Sequence, residues 1–223
     1  MTEREPLQPL SVSQLETLEE ATATYQRAVT PTVARYLLDR GIGREEALTN
    51  RLGVVADPIP GHGKYEGRLA IPYLDRAGQP LSIRFRCIRE GCDHKPYHGK
   101  YETVKGEPAR MYGIESIFDA RDEIHVTEGE LDRNILKKLG LHAVGVPGVQ
   151  SWQPHWRRML AGFNRVWVWA DPDDAGAELV NTLTRQLRQA KGVRLQADVT
   201  DTYLAGGPEA IFAALGRELE VAA

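Results

Sequence analysis

The chain has 223 residues, 42% hydrophobic and 26% charged, which is ordinary globular composition and enough for one core or a core with a smaller lobe. No apolar run approaches the ~20 residues that span a bilayer, and the first residues lack the basic-then-apolar order of a signal peptide, so we expect a cytoplasmic protein with no membrane partner. A net charge of −3 and two cysteines argue against an indiscriminate polyanion binder and against a disulfide framework.

The first part of the chain is predicted to be helical. Residues 11–29 space apolar side chains at helical intervals. The next segment has the ends of a helix, with Pro31 in its first turn and Gly41 just past its end. The stretch "REEALTNRLG" predicts a third, shorter turn or helix that Gly53 closes. We therefore assign residues 1–56 to a helical N-terminal region.

The middle of the chain is predicted to contain a hairpin of two strands. "RLAIPYLD" and "LSIRFRCI" are rich in strand formers and are separated by the turn residues "RAGQP". Between Arg84 and Arg110 there are seven Lys or Arg residues against four Asp or Glu residues. Such a strip suits a phosphate backbone, although a solvated hairpin with scattered charges has the same composition. We assign residues 57–122 to a mixed α+β basic subdomain.

From Glu123 onward, strand and helix patterns alternate with short joints. The strands are "IHVT", "HAVGV", "RVWVWA" and "VRLQA", and helical patterns lie between them. A last helix is predicted to start at Pro208. This alternation is typical of a parallel sheet with helices on both faces, so residues 123–223 are predicted to form an α/β domain.

Carboxylates follow two of these strands at the points where the strands end. Glu128 follows "IHVT", Asp171 follows "RVWVWA", and Asp173 comes two residues later. If the two strands are neighbours, about 5 Å apart, the carboxylates converge at the edge where parallel sheets bind ligands. Oxygen ligands of this kind suit Mg²⁺ or Mn²⁺. The alternative is that the aspartates cap a helix, but capping needs one carboxylate and gives Glu128 no role.

Further residues near the same edge bear on the metal interpretation. Gly129 and Gly176 lie where a missing side chain leaves room for a ligand close to the backbone. Asp198 and Asp201, in "DVTD", either hold a second ion or start the next turn.

A second group of potential ligands lies in the polar loop "CIREGCDHKPYH". Cys87, Cys92, His94 and His98 are residue types that bind zinc. Their spacing is not one of the common finger spacings, and Cys87 falls in a predicted strand. A hairpin loop with two thiols and surface histidines is therefore the favoured interpretation.

Several motifs resemble a known family. "VTEGELD" with the later "DPDDAG" resembles the signature of the TOPRIM domain, which DnaG-type primases, type IA and II topoisomerases and some nucleases share. Upstream, "PTVARYLLDRGIGREEALTNRLGVVADP" resembles the stretch that opens the RNA polymerase domain of primases. "GRLAIPYLDRAGQPLSIRFR", "GKYETV" and "RMYGI" are similar to primase motifs in the same order, so the likeness spans residues 21–215.

The resemblance implies a fold and an activity. The fold is α/β, a TOPRIM-type parallel sheet flanked by helices and preceded by a helical and mixed α+β N-terminal subdomain. The activity is that of a DnaG-like primase core, the metal-dependent synthesis of short primers from nucleoside triphosphates on single-stranded DNA. The small size also resembles phage-encoded primase-like proteins, which would work in the host cytoplasm. Because the family's zinc module and helicase-binding domain have no counterpart here, we expect a separate template-recognition protein or a replicative helicase as partner.

The resemblance also assigns residues. Glu128, Asp171 and Asp173 would be the catalytic metal ligands for Mg²⁺ or Mn²⁺, and Asp198 and Asp201 fall near the family's later acidic pair. The residues that would contact nucleic acid or nucleotide are Arg40, Arg84, Arg86, Lys100, Lys105, Arg110 and Asp132.

Two alternatives stay open at this point. A metal-dependent nuclease could use the same acidic cluster and would degrade DNA without consuming nucleotides. A non-catalytic replication accessory protein would bind nucleic acid and metal without turnover.

Overall fold

A computed structural model describes residues 9–94 and 99–218 of the protein. The helices are α1 (Val12–Arg27), α2 (Pro31–Leu38), α3 (Arg44–Thr49), α4 (Glu115–Asp119), α5 (Glu130–Lys138), α6 (Trp156–Leu160), α7 (Asp174–Gln186) and α8 (Val199–Ala214). The strands are β1 (Gly53–Val54), β2 (Leu69–Leu74), β3 (Pro80–Arg86), β4 (Tyr101–Thr103), β5 (Glu123–Thr127), β6 (Ala143–Gly145), β7 (Arg165–Trp169) and β8 (Ala190–Val193). Within the described ranges, every helix is too short or too polar to cross a membrane.

The chain divides into two compact units, each made of two stretches of sequence. The first unit holds α1 and β1–β4 and includes Arg51–Pro108. The second holds α2, α3 and all elements from α4 onward, and includes Pro31–Asn50. The three-part division at residues 56 and 122 stays a prediction.

The first unit is an antiparallel sheet in the order β1-β2-β3-β4, packed against α1. The predicted hairpin is confirmed as β2 and β3. The rings of Tyr65 and Phe85 stack in the core of this unit with centroids 3.9 Å apart. Gly53 begins β1 and does not close the third helix, so that prediction is wrong. The reason is contact with α1, because a Cβ at Gly53 would lie 2.4 Å from the carbonyl carbon of Tyr25.

The second unit is built on a parallel sheet in the order β6-β5-β7-β8, flanked by helices. The predicted α/β fold class is confirmed. Alternating apolar residues of β5 and β7 are fully buried in its core, and Trp156 and Leu160 of α6 are buried with them. The sheet therefore gives β5 and β7 a common edge at their carboxyl ends.

Two boundaries near the end of the chain differ from the sequence prediction. The last strand is Ala190–Val193 and not the later "VRLQA", because the buried Leu187 adopts extended backbone and ends α7. The last helix begins at Val199 and not at Pro208. Asp198 caps that start, and the helix bends at Gly207, which has a φ of 67°, so the predicted start at Pro208 marks only the part after the bend.

Candidate metal and nucleic-acid site

The carboxyl ends of β5 and β7 lie side by side. The two strands pair in parallel, and their last pair is Thr127 with Trp169. The sequence predicted this only on the condition that the strands are neighbours, and the pairing meets that condition. Glu128 and Asp171 therefore leave the sheet at the same edge, one and two residues beyond the paired positions.

Glu128 is half-buried, and the hydrogen bonding of its carboxylate is incomplete. The backbone N–H of Asp171 donates to it. The Oε2 atom is buried, and among the residues that the structure describes no group hydrogen-bonds it. Burial and the nearby charges of Asp173 and Asp132 raise the pKa of Glu128. A buried carboxylate oxygen without a partner is costly unless a cation satisfies it, so this oxygen of Glu128 suits a divalent ion. Among the described residues, ligand atoms of Glu128, Asp171 and Asp173 do not all lie within 4.8 Å of one another, and metal binding by the three together stays a prediction.

Asp173 is also a helix cap. It is the N-cap of α7, and its Oδ1 accepts a hydrogen bond of 2.8 Å from the backbone N–H of Gly176. The capping interpretation is therefore correct for one oxygen of Asp173. It is incomplete for the cluster, because the charge of Asp173 also acts on Glu128.

Asp132 joins the acidic cluster to the start of α8. Its Oδ1 accepts hydrogen bonds from the backbone N–H of Thr200 at 3.0 Å and from the Thr200 hydroxyl at 2.6 Å. Burial, together with the charges of Asp198 and Asp171, raises the pKa of Asp132 to about 6. Its Oδ2 lies beside Gly129, where a Cβ would come within 2.8 Å. Asp132 thus has a structural partner, and its contact with nucleotide stays a prediction.

The pair Asp198 and Asp201 begins α8. The side chain of Asp198 accepts a hydrogen bond of 2.7 Å from the backbone N–H of Asp201. The charge of Asp198 acts on Asp132, whereas the Asp201 side chain is exposed. Both residues help to start the helix, and their binding of a second ion stays a prediction.

Gly176 sets the position of the Asp171 backbone against α7. A Cβ at Gly176 would lie 2.1 Å from the carbonyl oxygen of Asp171, which is rigid backbone.

Gly176→Ala is therefore expected to destabilise the protein by about 1–3 kcal/mol, although an alanine inside a helix normally stabilises. Thermal unfolding measures this. The matched control is Gly162→Ala, where a Cβ meets open space, with an expected change within about 0.5 kcal/mol. Equal stability of the two variants would contradict the close approach.

Two of the predicted basic residues share one aromatic ring in the first unit. Arg84 and Arg86 are two apart on β3, so they project from the same face of the sheet. Their guanidinium carbons lie 4.4 and 5.0 Å from the ring centroid of Tyr101, and Arg86 also donates to the Tyr101 hydroxyl. Lys100 and Lys105 are exposed. These contacts hold Arg84 and Arg86 in place before any ligand binds.

The remaining predicted basic residues belong to the second unit. Arg40 follows α2, with its guanidinium 4.9 Å from the ring centroid of Tyr36. Arg110 is half-buried and lies two residues before Tyr112, which bridges to Gly145 of β6. Each unit therefore carries part of the predicted basic set.

Comparison with known proteins gives the chain a family. No family model matches it. The Gene 57 protein of Mycobacterium phage D29 is 32% identical over 153 residues, which cover 66% of this chain and 97% of the relative. The chain belongs to the family of this Gene 57 protein.

Solved structures show that this chain has the fold of a DnaG-type primase core. It matches the zinc-binding and RNA polymerase domains of Aquifex aeolicus primase with a TM-score of 0.74 and 17% identity, over 98% of this chain and 64% of that one. It matches the Mycobacterium tuberculosis DnaG RNA polymerase domain in complex with double-stranded DNA bearing a 6-nucleotide overhang. That match has a TM-score of 0.72 and 20% identity, over 94% of this chain and 81% of that one. The primase fragment of the bacteriophage T7 primase-helicase matches with a TM-score of 0.63 and 18% identity, over 84% of this chain and 78% of that one.

These matches confirm the predicted DnaG-type primase fold. This chain spans a little less than two thirds of the Aquifex chain, and the identities are those of distant structural relatives. Fold is therefore what they establish, and the chemistry has to be argued from the residues at the sheet edge.

Proposed function

We propose that this protein is the catalytic core of a primase, which makes short primers from nucleoside triphosphates on single-stranded DNA in a metal-dependent reaction. The observation that carries the proposal is the buried Glu128 oxygen, which has no hydrogen-bond partner in the described part of the chain and lies beside Asp171 and Asp173 in a primase-core fold. Helix capping and packing explain the position of Asp173 but do not explain the position of the Glu128 carboxylate.

In this proposal Glu128, Asp171 and Asp173 hold Mg²⁺ or Mn²⁺. When bound, such an ion activates the primer 3′-hydroxyl and stabilises the charge of the departing pyrophosphate. The protein itself keeps the carboxylates in place. The Asp171 N–H fixes Glu128, and the Gly176 N–H fixes Asp173. Asp198 and Asp201 are the proposed second group of ligands.

The basic residues are proposed to bind phosphates of template, primer or nucleotide. Arginine suits this role because its planar group makes two parallel charge-assisted hydrogen bonds. Arg84 and Arg86 are already ordered on Tyr101, so binding would cost them little conformational entropy. The proposed phosphate contacts are Arg40, Arg84, Arg86, Lys100, Lys105 and Arg110, and Asp132 is proposed to contact nucleotide.

Partners are proposed from the same comparisons. One structural relative holds DNA with a single-stranded overhang, and another is the primase part of a primase-helicase. We propose single-stranded DNA and nucleoside triphosphates as ligands of this chain. A replicative helicase or a separate template-recognition protein is its proposed assembly partner.

The deciding experiment incubates the purified chain with single-stranded DNA, labelled nucleoside triphosphates and Mn²⁺ or Mg²⁺, and sizes the products. Short products that require template, nucleotides and metal together are expected. Shortening of labelled DNA without nucleotides would instead indicate a nuclease. Binding of DNA and metal with neither reaction, also after a helicase is added, would indicate an accessory protein.

A further inference from the structure

A second group of metal-binding side chains lies in the first unit, in the loop that follows β3. The ligand atoms of Cys87, Cys92 and His94 all lie within 4.8 Å of one another, and the three residues are half-buried. The two cysteines are thiols and form no disulfide. Around a tetrahedral zinc ion, with bonds of about 2.3 Å to sulfur and about 2.0 Å to nitrogen, ligand atoms are roughly 3.5 Å apart. Side-chain adjustments of about an ångström or less would bring this group to that geometry.

The backbone brings these residues together across a tight loop. Cys87 directly follows β3, and its N–H donates to the carbonyl oxygen of Lys100 at 2.8 Å, which continues the pairing of β3 with β4. The chain then turns back through Gly91 and His94, both with positive φ, at 67° and 58°. Histidine in the left-handed region costs energy that some other interaction has to offset, and a bond from its ring to a metal ion would do so.

We propose that Cys87, Cys92 and His94 bind a zinc ion. Two thiolates and an imidazole are soft ligands that favour zinc, whereas Mg²⁺ and Mn²⁺ prefer the oxygen ligands found at the sheet edge. This is therefore a second metal site with a different ion. The fourth position of a tetrahedral ion would be taken by water or by a side chain outside these three, and His98 lies outside the described residues.

The proposed ion would tie the end of β3 to the loop that leads to β4. β3 carries Arg84 and Arg86, and β4 carries the Tyr101 ring on which they lie. A zinc link at Cys87, one residue beyond Arg86, would stiffen the end of this hairpin. Its expected role is structural, because metal binding that requires the folded loop also stabilises the fold.

The first test measures metal content. The chain is purified under reducing conditions from cells grown with zinc, and its metals are quantified by mass spectrometry. We expect about one zinc ion per chain and background zinc in Cys87→Ser and Cys92→Ser. The acid-cluster variant Asp171→Asn is expected to keep its zinc, so this result does not depend on the proposed primase activity.

A matched pair of variants separates ligation from loop shape. His94→Asn keeps a residue that tolerates positive φ but removes the imidazole, so zinc should be lost. His94→Cys supplies another zinc ligand at the same position, so zinc should be retained. His155→Asn changes an exposed histidine elsewhere and is expected to bind zinc like the unchanged chain.

A spectroscopic test uses the unchanged chain. After zinc is removed with a chelator, Co²⁺ is added, and a thiolate-to-cobalt charge-transfer band is expected that disappears when zinc is returned. The proposal is overturned if the chain holds no zinc and gives no such band. It is also overturned if Cys87→Ser retains full zinc, or if the chain freshly purified under reducing conditions contains a Cys87–Cys92 disulfide.

Discussion

Glu128→Gln is expected to abolish primer synthesis and, at the same time, to raise the melting temperature of the metal-free protein. The loss of activity follows from removing one carboxylate of the proposed metal site. Several kcal/mol of charge stabilisation would be lost, which corresponds to a rate decrease on the order of a hundredfold or more. The amide keeps the size of the side chain, so the surrounding packing is preserved.

The gain in stability follows from the electrostatics of the metal-free cluster. Glu128 is half-buried beside the like charges of Asp173 and Asp132, and its buried Oε2 has no hydrogen-bond partner among the described residues. Glutamine removes the buried charge and its repulsion. Opposite effects on activity and stability are typical of residues that are positioned for function at the expense of the fold.

Two further variants sharpen this experiment. Asp173→Asn should lose synthesis to a similar extent but should leave stability nearly unchanged, because asparagine caps a helix as well as aspartate does. Asp174→Asn changes the neighbouring exposed carboxylate in the first turn of α7 and should retain activity. The measurements are product yield with Mg²⁺ or Mn²⁺ and thermal unfolding in a chelator. Full synthesis by Glu128→Gln would remove Glu128 from the proposed metal site.

The arrangement of the acidic cluster was largely predictable from the sequence. Alternating strand and helix patterns indicate a parallel sheet, and a parallel sheet brings all strand ends to one edge. That rule placed Glu128 near Asp171 once β5 and β7 were neighbours. The double role of Asp173 was harder to predict, because capping and metal binding use the same residue type at the same place.

Other features depend on contacts between distant parts of the chain. Gly53 looked like a helix terminator but serves close packing against Tyr25 of α1, which lies 28 positions earlier in the sequence. The grouping of Cys87, Cys92 and His94 depends on a left-handed histidine, a backbone state that no spacing rule predicts. In each case the sequence shows the residue type, and the tertiary structure decides what it contacts.

Arg133 is the clearest example of a residue whose contacts the sequence does not predict, because nothing in "GELDRN" distinguishes it from a surface arginine. Its side chain is fully buried in the second unit. It donates hydrogen bonds to Asn50 Oδ1 at 2.8 Å, to the carbonyl oxygen of Ala143 at 3.0 Å and to the carboxylate of Glu115. Burial alone would raise the pKa of Glu115, but the charges of Arg133 and Lys137 outweigh it and lower the pKa.

Arg133→Met is expected to destabilise the protein by about 3–5 kcal/mol, because removing the buried member of an ion pair leaves the Glu115 carboxylate with only the partly exposed Lys137 as its partner. The change also leaves Asn50 Oδ1 and the Ala143 carbonyl without this donor. Arg133→Lys should recover little, since one ammonium group cannot reproduce donors that point in three directions. Urea unfolding followed by circular dichroism measures this loss as a lower midpoint urea concentration. The dependence of the unfolding free energy on urea concentration should stay the same.

Two comparisons distinguish a buried network from ordinary loss of charge. Lys137 also contacts Glu115, with Nζ 2.5 Å from Oε1, but its side chain is one-third exposed, so Lys137→Met should cost no more than about 1 kcal/mol. Adding Glu115→Gln to Arg133→Met should restore part of the lost stability, because it removes the carboxylate that Arg133 leaves behind. If Arg133→Met and Lys137→Met were equally destabilising, the effect would come from charge alone. Water would then have to reach Arg133, in conflict with its complete burial.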